Sequence, residues 1–239
     1  DNAICSGQTA TLNGSGTGTG ITYSWTPTTN LSNPNIANPT ANPTITTTYV
    51  LTTSNVCGTI TDQMVLTINP LASVDAGTDV SICSGTNSIL TATGTGTSWV
   101  WSPAGTLNNA NVQNPTATPT ITTTYTVTAT NGCGSSTDNV VVTVTALPSV
   151  NAGIDQIICS GGSANLAASG ATNYTWTPTG TLNNSTIFNP IASPTTTTTY
   201  TVEGVSTCGT AYDDVVVTVD PLPTSNAGQD NSVCAGQSL

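Results

Sequence analysis

The sequence predicts an all-β fold, with small β-sandwich units repeated in tandem as an extended array. Three observations carry that reading. Apolar residues fall in short alternating runs rich in Val, Ile, Thr and Tyr, the pattern of half-buried strands. Pro-containing stretches and Gly/Asn turns separate those runs, and no segment sustains a helical period. The chain also repeats itself about every 76 residues.

Cysteines mark the repeat. Cys5-Ser6-Gly7 returns as Cys83-Ser84-Gly85, Cys159-Ser160-Gly161 and Cys234-Ala235-Gly236. A second cysteine, each time followed by Gly, stands at Cys57, Cys133 and Cys208. Trp25, Trp101 and Trp176 precede Tyr49, Tyr125 and Tyr200 by 24 residues, and each Tyr precedes its second cysteine by 8. Each second cysteine precedes the next first cysteine by 26, whereas the step from first cysteine to Trp varies as 20, 18 and 17. Length change confined to a Gly/Thr-rich stretch such as Gly14–Gly18 marks a surface loop on a fixed scaffold. Boundaries are therefore expected at 1–73 (with an incomplete leading strand), 74–149 and 150–225, with 226–239 opening a fourth repeat. Links bearing Pro70, Pro148, and Pro221 with Pro223 restrict bending between units.

The second repeat serves to read the elements in order. Ile89–Ala92 is a strand with Leu90 and Ala92 facing inward. Trp99-Val100-Trp101 sets two aromatics on one face, because strand side chains alternate. Asn114–Pro119 runs along an edge, since its prolines cannot donate to a ladder. Tyr125–Ala129 and Val140–Val144 form a hairpin whose tip, Asn131-Gly132-Cys133-Gly134, is rich in turn formers. Met64, Leu66 and Ile68 take the places of Val140, Val142 and Val144 in the first repeat. About 75 residues in several short strands suits an Ig-like sandwich. So small a unit buries only about 60% of its unfolded surface and gains from crosslinks.

Seven cysteines make three pairs with one left over. Pairing within repeats gives Cys5–Cys57, Cys83–Cys133 and Cys159–Cys208, with the partner of Cys234 beyond residue 239. The hairpin carrying Cys133 is expected to turn back toward its own repeat's Cys83. Closing loops of about 50 residues would stabilise each unit by roughly 4 kcal/mol. The competing scheme joins a second cysteine to the next first cysteine, such as Cys57–Cys83. A zinc site is disfavoured by the absence of His and of any CxxC pair. Disulfides place the chain in an oxidising, extracellular setting.

Composition excludes several function classes. The 239 residues include 11 acids and no Lys, Arg or His, for a formal net charge of −11. Phosphate binding by cationic side chains is impossible, which argues against nucleic acid as a partner. Schiff-base chemistry, His-based triads and His metal sites are excluded. No apolar run reaches the roughly 18 residues of a membrane helix, so no membrane insertion is expected. No catalytic residue and no cofactor is assigned.

The pattern resembles PKD-like repeats. The residues that carry it are Asp75-Ala76-Gly77-Thr78-Asp79, Ile82-Cys83-Ser84-Gly85, Trp101-Ser102-Pro103, Asn114-Pro115, Thr122–Val127 and Asp138–Val144. They look like the Cys-containing version in giant Bacteroidota cell-surface adhesins, among them gliding-motility adhesins exported by the type IX secretion system. The resemblance covers the whole chain, although Trp-x-Pro replaces the acidic Trp-Asp-Phe-Gly-Asp-Gly of typical members. It implies stalk or tread repeats of a secreted filament. Its partners would be anchoring or motility machinery and an external surface or polysaccharide. The residues alone give only an extracellular structural array. Accessory carbohydrate-binding modules of a polysaccharide-degrading enzyme, or a fibre subunit donating residues 226–239 as a strand, are the alternatives.

The aromatic and acidic residues offer further candidate sites. Trp25, Trp101 and Trp176, with Tyr23, Trp99 and Tyr174 two residues earlier, either stack on sugars or pack the core, and their fixed spacing favours packing. Tyr49, Tyr125 and Tyr200 are expected in the core with hydroxyls bonded to backbone. Asp1, Asp79, Asp155 and Asp230 are equivalent, as are Asp62, Asp138 and Asp213. Calcium wants more carboxylates than these supply, so turn and strand-end roles are expected. Asp75-Ala76-Gly77 is similar to an aspartic-protease triplet, but its counterparts start with Asn151 and Asn226. Asn13, Asn30, Asn173 and Asn184 open glycosylation sequons.

Overall fold

A computed structural model describes residues 1–229 and 232–236. Asp230 and residues 237–239, on which part of the fourth-repeat reading falls, lie outside the described residues. Among the described residues every regular element is a strand. Contacts divide the chain into two compact units, Asp1–Val144 and Thr145–Leu239. The first unit contains two sandwiches and the second contains one.

In the first sandwich, β1 (Asn2–Cys5), β3 (Thr22–Thr26), β5 (Thr47–Asn55) and β6 (Gly58–Asn69) form a sheet ordered β1-β6-β5-β3. Its other face is a two-residue ribbon of β2 (Ala10–Thr11) and β4 (Thr40–Ala41). The first strand runs parallel to the last, with Asn2 opposite Leu66 and Cys5 opposite Asn69. The long hairpin is antiparallel, from Thr47 opposite Leu66 to Asn55 opposite Gly58. Chain start and chain exit therefore lie at one end of the sheet, and the hairpin tip at the other.

The second sandwich repeats the plan with β7 (Val74–Asp75), β8 (Val80–Cys83), β9 (Ser88–Ile89), β10 (Thr93–Gly94), β11 (Ser98–Ser102), β12 (Thr116–Ala117), β13 (Thr123–Asn131) and β14 (Gly134–Thr145). Its main sheet is ordered β11-β13-β14-β8, with β9 paired to β12 and β7 to β10. The third has β15 (Gln156–Cys159), β16 (Ala164–Asn165), β17 (Asn173–Thr177), β18 (Ile191–Ala192), β19 (Thr198–Ser206) and β20 (Gly209–Asp220). Its sheet order is β15-β20-β19-β17, opposite the β16–β18 ribbon.

Each sandwich has its own core, and the three are built from register-equivalent residues. Trp101, Tyr125, Val127, Val140, Val142, Leu90 and Ala92 fill the second. Trp25, Tyr49, Leu51, Leu66 and Leu12 fill the first, and Trp176, Tyr200, Val202, Val215, Val217 and Leu166 the third. Strand alternation sets this up: Trp101 and Trp99 share a face, the former buried and the latter half-buried. The Asn114–Pro119 stretch contributes only Thr116 and Ala117 to a ladder, and Ala117 is fully buried.

Candidate functional site: a disulfide joint between adjacent repeats

The joint is assembled by two strand ends within the first unit. Cys5 closes β1, and its parallel pairing to β6 places it beside Asn69, where the chain leaves the first sandwich. A tight turn follows: the Gln8 N–H donates to the Cys5 carbonyl at 3.0 Å, and the Ser6 N–H to the Asn69 carbonyl at 2.9 Å. The Gln8 Oε1 accepts from the Cys5 N–H at 3.1 Å. Across the joint, Asn131 pairs with Gly134, so Gly132-Cys133 is a two-residue hairpin loop. The Asn131 Oδ1 accepts from the Cys133 N–H at 2.9 Å and fixes that loop. Its Nδ2 donates to the Pro70 carbonyl at 3.1 Å, tying the tip to the link between sandwiches. Gly134 has φ of 143°, and a Cβ there would lie 2.9 Å from Leu71 Cδ2, so glycine answers both the backbone and the close approach.

Cys5 and Cys133 are disulfide-bonded, with Cα atoms 5.3 Å apart and 128 residues between them in sequence. This corrects the intra-repeat pairing. Cys5 does not join Cys57, nor Cys83 join Cys133, nor Cys159 join Cys208. Cys57, Cys159 and Cys234 are free and exposed. Cys83 and Cys208 are each engaged in a disulfide too. The Cys57–Cys83 alternative falls with the free Cys57. The reason is the length of the last strand. Cys5 is level with Asn69, whereas Cys57 adjoins Gly58 at the far end of β6. Eleven strand steps separate those ends by roughly 36 Å. A disulfide needs Cα atoms within about 7 Å. The hairpin tip thus faces away from its own repeat's first cysteine and toward the preceding sandwich.

The aromatic and acidic candidates serve the scaffold. Trp25, Trp101 and Trp176 are 3%, 1% and 0% exposed, which removes their faces from any sugar. Their indole N–H groups donate to carbonyls of the loop covering the core: Ile36 at 3.1 Å, Gln113 at 3.2 Å and Ile187 at 3.0 Å. Tyr125 and Tyr200 bond the side-chain hydroxyls of Thr106 and Thr181, where backbone partners were expected. Tyr49 has no hydrogen-bond partner for its buried hydroxyl, and burial raises its pKa. The residue in register with Thr106 and Thr181 is Asn30, which takes a positive φ of 61°.

The aspartates bind backbone. Asp1, Asp79 and Asp155 accept from the N–H groups of Val65, Val141 and Val216, each at 2.9 Å, and so pin the first strand to the last. Asp138 and Asp213 accept from Ala76 and Ala152 at 2.7 and 2.8 Å. The Ala76 N–H, then that of Asn139, hold the Asp138 carboxyl below the usual carboxylate range. Asp75, Asn151 and Asn226 each accept from the glycine two residues on at 2.8 Å. Only a carbonyl-like oxygen is used there, which is why Asp and Asn alternate. Among the described residues no three His, Cys, Asp or Glu side chains gather as a metal-binding group.

No family model matches the chain, and no curated protein matches it. Among solved structures it is similar to a three-Ig I-band fragment of titin and to its Glu-to-Ala variant. Identity is 12% in both cases, over 92% of this chain and 95% of theirs, with TM-scores of 0.53 and 0.55. The chain is a tandem series of Ig-like β-sandwiches.

Proposed function

We propose that this chain is a load-bearing segment of a secreted cell-surface adhesin filament, acting in surface adhesion and gliding motility. The observation that carries the reading is the Cys5–Cys133 bond, which joins two sandwiches where a stability crosslink would close one. A covalent bond across a joint has a mechanical consequence. Tension entering at Cys5 passes directly to Cys133, so the core of the first sandwich lies off the load path. Disulfides persist outside the cytosol, which supports an extracellular location. The lack of Lys and Arg leaves no site for proteases that cut after basic residues. The PKD-like resemblance supplies the motility and type IX export parts of the reading, together with the anchoring machinery and the external surface as partners. The repeated tryptophans Trp25, Trp101 and Trp176 are buried, which removes them as a carbohydrate-stacking platform.

Single-molecule stretching of the whole chain from both ends tests this. Oxidised protein should show no lengthening step from the first sandwich below the force that breaks covalent bonds, and reductant should restore that step. A full set of unfolding steps from oxidised protein would overturn the load-bearing reading.

A further inference from the structure

The third sandwich carries an open cleft of about 560 Å³. That volume falls within the roughly 300–1,000 Å³ of small-ligand sites. Its lining comes from the stretch that enters β17 and from the loop that covers the core, and none of the lining residues is charged. Phe188, the one phenylalanine of the chain, lines it and is 56% exposed. Around the ring stand the side-chain amides of Asn173 and Asn189 and the hydroxyls of Ser169 and Thr172. These four groups have no hydrogen-bond partner among the described residues.

The cleft is held in shape by its own backbone. Ser169 exchanges two hydrogen bonds with Asn151, at 2.9 and 3.0 Å. The Tyr174 hydroxyl accepts from the Ala171 N–H at 3.0 Å and donates to the Ala171 carbonyl at 2.8 Å, which fixes the aromatic ring beneath the loop. Gly170, at φ of 90°, lies so close to the link that a Cβ there would overlap the Ser149 carbonyl.

The other two sandwiches spend the same positions differently. Phe188 is in register with Gln113 and Ala37. Gln113 folds inward, its Nε2 donating to the Ala92 carbonyl at 2.7 Å, while the Asn114 Oδ1 accepts from the Ala92 N–H at 3.0 Å. In the third sandwich the equivalent N–H, that of Ala168, donates to the Phe188 carbonyl at 2.7 Å. The backbone thus satisfies itself, and the Phe188 ring and the Asn189 amide are left for a ligand.

We propose that this cleft binds a neutral oligosaccharide, with a sugar C–H face on the Phe188 ring and sugar hydroxyls bonded to the Asn173 and Asn189 amides. A sugar ring pairs an apolar face with hydroxyls that both donate and accept. An aromatic ring flanked by amides and hydroxyls answers both halves of that chemistry. The absence of charge in the lining fits a neutral chain, and a protein of net charge −11 with no Lys, Arg or His repels a carboxylated or sulfated one. The assignment rests on the lining of this cleft and not on the filament's role.

The test titrates the full chain with cellohexaose, maltohexaose and mannohexaose, and with trigalacturonic acid as the anionic control. Binding is read by calorimetry and by shifts of the Asn173 and Asn189 side-chain amide signals in NMR spectra. At least one neutral hexasaccharide should bind with a Kd in the micromolar to millimolar range and shift both amides. Phe188→Ala should weaken it about tenfold, the scale of one lost stacking contact. Phe188→Gln, which installs the residue of the second sandwich, should do the same, and Phe188→Trp should retain binding. Thermal unfolding of each variant, unchanged from the parent, shows that it is folded. No binding of any neutral hexasaccharide at millimolar concentration, binding indifferent to both Phe188→Ala and Phe188→Gln, or tighter binding of trigalacturonic acid would overturn the proposal.

Discussion

Tyr49, Tyr125 and Tyr200 occupy one position in three repeats, yet their hydroxyls have different surroundings. Two meet a threonine hydroxyl and the third meets none. A net intramolecular hydrogen bond is worth about 1 kcal/mol, whereas a buried hydroxyl without a partner carries a desolvation penalty. Tyr125→Phe and Tyr200→Phe should therefore each cost about 1 kcal/mol. Tyr49→Phe should be neutral or stabilising, and denaturant titration of the three variants checks the contrast. Asp138 offers a second test, by pH. Its folded pKa is depressed, so its contribution is present above the ordinary carboxylate range and is lost as pH falls through the lowered value. Asp138→Asn keeps an acceptor for the Ala76 N–H but does not titrate. Its stability should lie below the parent's at neutral pH and fall less steeply below about pH 4, so that the two converge, read from unfolding curves across the acid range.

Loop and strand are matched in volume where the chain enters β11 and β17. In the second sandwich, Gly96 lies where a Cβ would come within 2.7 Å of Ala129 Cβ. In the third the sizes are exchanged: the counterparts are Ala171 and Gly204, and a Cβ on Gly204 would lie 2.7 Å from Ala171 Cβ and 2.2 Å from Val150 Cγ2. The space holds one methyl group, contributed either from the loop or from the strand. Gly204→Ala should destabilise by about 1–3 kcal/mol through overpacking. Ala171→Gly in the same chain should recover part of that loss, leaving the remainder due to Val150. A double-mutant cycle on thermal or denaturant unfolding measures the coupling. Strictly additive effects would show that the two positions do not share the space.

At the scale of the whole molecule, the disulfide changes what the repeats are. A bond closing 128 residues of sequence enforces the joint between two sandwiches. In the chain-entropy picture a loop of that length restrains the unfolded state by roughly 5 kcal/mol. The stretching experiment reads the same bond as length. Residues 6–69 hold on the order of 200 Å of chain when fully extended. That length should be missing from the oxidised trace and present both after reduction and in Cys5→Ser.

Period, strand identity and core were legible in the sequence because they depend on local pattern. Alternation decides which face Trp101, Val140 and Val142 present, and constant spacing from Trp to Tyr to cysteine ties those faces to one scaffold. The Asp-to-Asn exchange at Asp75, Asn151 and Asn226 was legible for the same reason, since each serves its own turn. The disulfide pairing was decided by tertiary structure alone. Alternation is the same whether β1 lies parallel or antiparallel to β6, and it cannot show that Cys5 ends beside Asn69. That single parallel pairing puts the two cysteines of a repeat at opposite ends of its sheet. It also brings the first cysteine of one repeat within 5.3 Å, Cα to Cα, of the second cysteine of the next.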